Sequence, residues 1–416
     1  MNVRILRVGL VTCAIVALAA CSKQTADSTL TIAINAGVEG DALKTAAREW
    51  GAANATRVEI VELPYANLFE KELLDLTSRT GAYDVIMLDD PWFPRLVQGG
   101  NLAQLDPLLG RPPDEDFIKS CLDVCRHPYA SGPYFALPYV GNSQLFFYRK
   151  DLFDKHRLPA PKTWDDVLAA AQKIGSAEKM YGYVMRAAPG NAVVTDFLPL
   201  FWSFGAEVFS QEGKPDVASQ NGIDSLKFML ELGKLTPPGY AGFNADEVSA
   251  HLLQSTAVMS INWPAWIAPM DDAEKSKVVG KIEFTQMPSA RRAGTPELGS
   301  WLLAIPAASK NARQAADFMV WATGVRPMKT AALRGNPPTR RSVFLDSDLR
   351  SKYRSFPAQL ASLQSARPRP RTPLWNEIEN AFGLYLSKAN AGSMAPEQAM
   401  KQAAADITAI LERNRP

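Results

Sequence analysis

Apolar residues recur along the chain with two periods, and the switches between them sketch the elements. Residues 30–35, LTIAIN, alternate and are β-branched, which predicts a strand. Leu43, Ala46, Ala47 and Trp50 then fall at helical spacing, with Asp41 as the expected N-cap. A second strand is predicted over residues 57–63, then a helix carrying Leu68, Phe69, Leu73 and Leu76, then the buried-looking run of residues 84–88, DVIML. This β-α-β-α-β order predicts a mainly parallel sheet. Ligands bind beyond the carboxyl ends of such strands, which singles out residues 36–40 and 89–92.

The pattern changes at residues 134–153, YFALPYVGNSQLFFYRKDLF, where two apolar strands meet across Gly141, Asn142 and Ser143. Pro138 suits a strand edge and Gly141 a bend, so this stretch reads as a crossing between two lobes with Asn142 at the mouth of a cleft. Beyond it, Thr163 and Asp166 form a capping box, and Trp164, Val167, Leu168, Ala171 and Ile174 share one helical face, which marks Trp164 as core. A strand is expected over residues 181–185 and an aromatic-rich helix over 197–204, with Trp202 buried. Residues 256–262 read as a strand ending in Asn262, Trp263, Pro264, Ala265 and Trp266, and residues 298–305 as another. The closing helix presents Ala399, Ala403, Ile407 and Leu411 on one face.

At 416 residues the chain exceeds one comfortable core, so two domains are expected. Its 47% hydrophobic and 21% charged residues fit a globular protein, and a net charge of +2 gives no footing for nucleic acid. The one basic cluster, Arg367, Arg369 and Arg371, alternates with proline and reads as a stiff, solvated connector. Arg4 and Arg7 precede the apolar run of residues 8–20, too short to span a membrane, which reads as a signal peptide. Cys121 and Cys125, four apart, fit one helical face and an export compartment, and a disulfide between them is expected ahead of free thiols. With three histidines in the chain, no metal site is expected, and no cofactor motif is present.

The chemistry concentrates at Asp89, Asp90 and Trp92, joined by Glu39. Carboxylates beside an indole suit a polyhydroxylated ligand: the acids accept hydrogen bonds from hydroxyls and the ring covers an apolar sugar face. One of the two aspartates is alternatively an N-cap, and Trp92 alternatively packing. A secreted carbohydrate hydrolase drawing on Asp89, Asp90, Glu39 and Glu207 is the competing class, although HExxH, GxSxG and GxxxxGK are all absent. A receptor for anions, polyamines or metals is a third.

Several stretches resemble one known family in colinear order. These are YDVIMLDDPWFPRLVQGGNLAQLDPLL, GPYFALPYVGNSQLFFYRKDLF, PKTWDDVLAAAQKI, STAVMSINWPAWI, ELGSWLLAIPAASKNARQAADFMVWATG and SMAPEQAMKQAAADITAIL. They are similar to the extracellular solute-binding proteins of bacterial ABC importers, in the sugar-binding group that includes the maltose-binding proteins. The resemblance implies an α/β, two-lobed fold, each lobe a mixed, mostly parallel sheet flanked by helices. It implies a first lobe of residues 28–138 plus 303–335 and a second of residues 139–302 plus 336–416, with crossings near Gly299 and at residues 335–340. Residues Leu18-Ala19-Ala20-Cys21 resemble a lipobox, making residues 1–21 a signal peptide with Cys21 as lipid anchor. The implied function is capture of a small carbohydrate, with a polyol or glycerol phosphate as variants, for an inner-membrane permease by an exported, membrane-tethered monomer. The implied contacts are Glu39, Asp90 and Trp92 on one lobe, Asn142, Trp263, Trp266 and Trp375 on the other, and Gly299, Trp301 and Arg340 near the crossings. At Trp263 the family carries a glycine, which leaves open whether Trp263, Trp266 or both face the cleft.

Overall fold

The computed structural model describes residues 29–414, and Cys21 with the rest of the predicted signal lies outside them. Strands β1 (Thr29–Asn35), β2 (Arg57–Leu63) and β3 (Val85–Asp89) alternate with helices Val38–Ala53 and Tyr65–Ser78, as the periodicity predicts. The first helix starts earlier than Asp41, at Val38, because Gly37 takes a positive φ and lets the chain turn directly out of β1. At Gly40 a Cβ would lie 1.8 Å from the Asn35 carbonyl oxygen, so only glycine permits that turn.

Two further strands, β4 (Ala136–Val140) and β8 (Trp301–Ala304), complete a five-stranded sheet of order β2-β1-β3-β8-β4. Strands β1, β2 and β3 pair in parallel, while β8 runs antiparallel to both β3 and β4. Three strands make the second sheet: β5 (Leu145–Arg149) lies between β6 (Met259–Asn262) and β7 (Ile282–Thr285), antiparallel to both. The expectation of a mostly parallel sheet in each lobe therefore fails for the second, whose strands return without the β-α-β crossover that parallel pairing needs. Residues 181–185 form no named strand but run beside β6, with a bridge from Tyr181 to Ala257 and the Val184 N–H donating to the Met259 carbonyl at 3.0 Å. The capping box of Thr163 and Asp166 forms, and Trp164 is buried.

Each sheet has its own apolar core. Leu30, Ile32, Ile86 and Leu303 anchor the first, while Phe146, Trp164, Phe201 and Phe382 anchor the second. Three segments join them. Residues 141–144 link β4 to β5, residues 286–300 link β7 to β8, and the third differs from expectation. Val343, Phe344, Leu349, Phe356 and Leu363 bury in the first core, carrying that lobe well past residue 335. Residues 335–340 accordingly run beside β4, with Gly141 N–H donating to the Pro337 carbonyl at 2.8 Å and the Thr339 hydroxyl to the Pro138 carbonyl at 2.9 Å. The chain returns to the second core through residues 366–374, the Arg-Pro alternation.

Cys121 and Cys125 are buried in the first core as free thiols, which corrects the expected disulfide. Cys121 sits in a short helix, Lys119–Asp123, and the Cys125 thiol turns to the Cys121 carbonyl at 3.4 Å rather than to its sulfur. Burial pushes the Cys121 thiol up to about 12, so it stays protonated.

Candidate functional site

Between the two sheets lies a cavity of about 420 Å³, bordered by both lobes and all three connecting segments. On the first lobe's side stand Glu39, Tyr65, Asp89 and Trp301. Glu39 is in the first turn of helix Val38–Ala53, where the helix dipole favours an acid, and it accepts a long 3.4 Å hydrogen bond from the Asn142 amide of the first crossing. Burial nonetheless raises its pKa. Asp89 ends β3 directly opposite Trp301 of β8 and accepts a 3.0 Å hydrogen bond from the Tyr65 hydroxyl.

The aromatic rings here divide into facing and backing. Trp92 is buried, with ring centroids 5.0 Å from Tyr65, 5.0 Å from Phe69 and 5.8 Å from Trp301. It therefore props Tyr65 and Trp301 from behind and does not border the cavity, which is the packing alternative for this residue.

The second lobe's wall is made of Arg186, a turn at Ala188 and Pro189, the start of helix Asn191–Ser203 with Asn191, Ala192 and Thr195, then Asn244 and Trp263. Trp263 follows β6, its backbone N–H held by the Asn262 side chain at 2.8 Å, and Pro264 then starts a single helical turn. Its indole crosses to the second connecting segment: a Cβ on Gly299 would come within 2.7 Å of the ring. The Arg186 guanidinium lies 5.7 Å from the ring centroid and is itself paired with Asp196, Nε to Oδ1 at 2.6 Å. Thus Trp263 takes the cleft position, while Trp266 is half-buried against a smaller apolar cluster that includes Phe147, Ile267 and Met270.

At the floor, Arg369 lies within 4 Å of four carboxylates: Asp89 at 3.5 Å, Asp90 at 3.7 Å, Glu297 at 3.4 Å and Glu379 at 3.8 Å. Arg371 adds a 2.9 Å contact to Asp90. Two cations against four buried acids leave the cluster short of positive charge, and desolvation dominates the acids. Burial pushes Glu297 up to about 8 and Asp90 to about 6, and it raises Asp89 and Glu379, with Arg369 opposing each shift.

Of the residues expected from sequence, the cavity brings together Glu39, Asn142, Trp263, Gly299 and Trp301. The other five lie elsewhere. Asp90 is fully buried behind its neighbour because its carboxylate accepts from Ser300 N–H at 3.1 Å while its own N–H donates to the Ser300 carbonyl at 3.1 Å. Neither aspartate caps the following helix, Phe93–Gln98. Arg340 donates to the Thr323 carbonyl and Asp114 and stacks 3.9 Å above Phe117, outside the cleft. Trp375 opens helix Trp375–Asn390 but is wholly buried in the second core. Sequence reasoning missed Tyr65, Arg186, Thr195 and above all Arg369. The alternation of arginine with proline was visible; its burial was not.

The lining is rich in hydrogen-bond acceptors. Besides Glu39 and Asp89, the buried Asn142 Oδ1 and Thr195 hydroxyl have no partner among the described residues. Both guanidiniums are already opposite carboxylates. Such a wall suits a neutral ligand with many hydroxyl donors and disfavours an anion.

The family model for bacterial extracellular solute-binding proteins matches residues 36–329. A probable amino-acid ABC transporter periplasmic-binding protein of Sinorhizobium fredii is 28% identical over 90% of this chain and 86% of its own length. Among solved structures, maltose-bound MalE3 of T. maritima superposes with a TM-score of 0.83 at 26% identity, covering 92% of this chain and all of that one. An ABC transporter solute-binding protein of Agrobacterium vitis with bound D-mannitol gives 0.79 at 28% identity, covering 93% and 99%.

Proposed function

The chain belongs to the bacterial extracellular solute-binding protein family, and we propose that it captures a small uncharged polyol or monosaccharide between its lobes and presents it to the permease of an ABC importer. One observation carries this reading: Asn142 and Thr195, each holding a buried oxygen without a partner among the described residues, line with Glu39 and Asp89 a space flanked by Trp263 and Trp301. Hydroxyl groups satisfy acceptors, and indole faces cover the C–H surface between them. A buried acceptor left unpaired costs roughly 1–3 kcal/mol, so a ligand that fills these positions gains that difference. Relatives with maltose and D-mannitol support the chemical class.

A phosphorylated ligand fits less well, because its charge would face Glu39 and Asp89 while both guanidiniums are engaged. Capture without turnover is part of the proposal, as is closure of the lobes on the ligand: only a ligand touching both lobes favours the closed state over the open one. We also propose that Cys21 carries a lipid that tethers the protein at the membrane. Mass spectrometry of the native full-length protein tests both. It is expected to find an intact polyol or sugar and a diacylated Cys21; an amino acid or anion in the cleft contradicts the first, an unmodified start beyond Cys21 the second.

A further inference from the structure

The third connecting segment, residues 366–374, carries arginines at alternate positions of a proline-stiffened connector. The three guanidiniums reach three places. Arg367 pairs with Glu207 and stacks on Trp202 of the second lobe, and Arg371 binds Asp90 and the Val124 carbonyl of the first. Arg369, between them, has only 3% of its side chain exposed and stands among acids from both sides of the hinge. Asp89 ends β3 and Asp90 follows it, Glu297 lies on the second connecting segment, and Glu379 on the second lobe's helix Trp375–Asn390.

The four contacts, at 3.4–3.8 Å, exceed the roughly 2.7–2.9 Å of a tight charge-assisted hydrogen bond, and Arg369 Nε has no hydrogen-bond partner among the described residues. The guanidinium is shared, with room to tighten. Among the four acids, Asp89 alone borders the cavity. We propose that Arg369 is the positioning residue that couples the ligand site to the placement of the lobes: it holds the Asp89 carboxylate at the cavity wall while tied to Glu297 and Glu379, and closure shortens these contacts. This rests on the ligand reading above.

Other charged or titratable groups also face the cluster. Tyr65 and Glu39 act on Asp89, Arg186 acts on Glu297, and Arg371, with Cys125 and Tyr129 beside it, acts on Asp90. None replaces Arg369 at the centre. Removing its charge leaves the acids harder still to ionise, so the deficit against wild type grows as pH rises through their wild-type native values, about 6 for Asp90 and about 8 for Glu297.

The test uses the full chain as wild type, R369Q, E379Q and R369Q/E379Q. Without ligand, thermal unfolding of R369Q is expected to fall further below wild type at about pH 8.5 than at about pH 5, and R369Q/E379Q to regain part of the loss at the higher pH. A deficit that ignores pH, or no recovery, overturns the tie. Titration with D-mannitol is expected to be about tenfold weaker for E379Q, which does not itself border the cavity and keeps an acceptor for the wall residue Asn191. Wild-type affinity in E379Q overturns the coupling. A wild type that binds no polyol or sugar sinks the ligand reading alone, because the unliganded unfolding still upholds or overturns the tie. Should R369Q not fold, R369K takes its place: retained charge with fewer donors predicts weaker mannitol binding but a pH profile close to wild type, and unchanged affinity contradicts the proposal.

Discussion

Two buried arginines border the same cavity in opposite ways. Arg186, on the second lobe, meets one carboxylate, Asp196, through its Nε and Nη2 and through its own backbone N–H at 2.7 Å. Charges there balance within a single lobe. Arg369, at the hinge, meets four carboxylates loosely and balances none of them fully. The first arrangement fixes a wall; the second leaves a junction whose energy depends on where the two lobes place their acids.

The largest effect expected from this contrast is at the balanced pair. R186M leaves Asp196 buried and unpaired, and chemical denaturation is expected to register a loss of about 3–5 kcal/mol that R186M/D196N largely restores. A small loss would mean that the pair is not closed off as its contacts imply.

The unbalanced junction predicts the opposite sign. Glu297 has its pKa raised by burial from 4.5 to about 8, so between those values the unfolded chain releases a proton that the native state keeps. Wild-type stability therefore declines as pH rises through this window, by at most about 1.4 kcal/mol per unit, and levels off above it. E297Q is expected to escape the decline, matching wild type below about pH 4.5 and exceeding it progressively toward pH 8. Parallel curves for the two proteins would contradict the picture.

Adjacent aspartates sharpen the comparison further. D89A removes a cavity acceptor and is expected to weaken ligand binding by about 2–3 kcal/mol in a calorimetric titration. D90A, away from the cavity, should cost stability more than affinity; the reverse ranking would restore Asp90 to the wall. At Trp263 the effect is smaller: W263A, or G299A acting by displacing the indole, is expected to cost about 1 kcal/mol of binding.

The fold was legible wherever periodicity spoke for itself. Residues 30–88 announced their strands and helices because alternating and 3.6-spaced apolar positions determine which face is buried, and Thr163 with Asp166 announced a helix start by local chemistry alone. What stayed hidden depended on tertiary direction. Asp89 and Asp90 are indistinguishable in sequence, yet the end of β3 leaves the first at the cavity and the second against the backbone of residue 300. Trp375 and Trp92 looked like ligand platforms because an indole serves packing and binding equally well. Arg369 was misread because a guanidinium flanked by prolines normally belongs to solvent, and the acids that bury it come from positions 89, 90, 297 and 379, far apart in the chain.

The most direct measurement is a calorimetric titration of the wild-type protein with D-mannitol, D-glucose, maltose, glycerol 3-phosphate and a set of amino acids. Saturable binding of a neutral polyol or sugar, and none of the phosphate ester or the amino acids, is the predicted result. Preference for a charged compound would contradict the assignment of Glu39, Asp89, Asn142 and Thr195 as acceptors for hydroxyl groups.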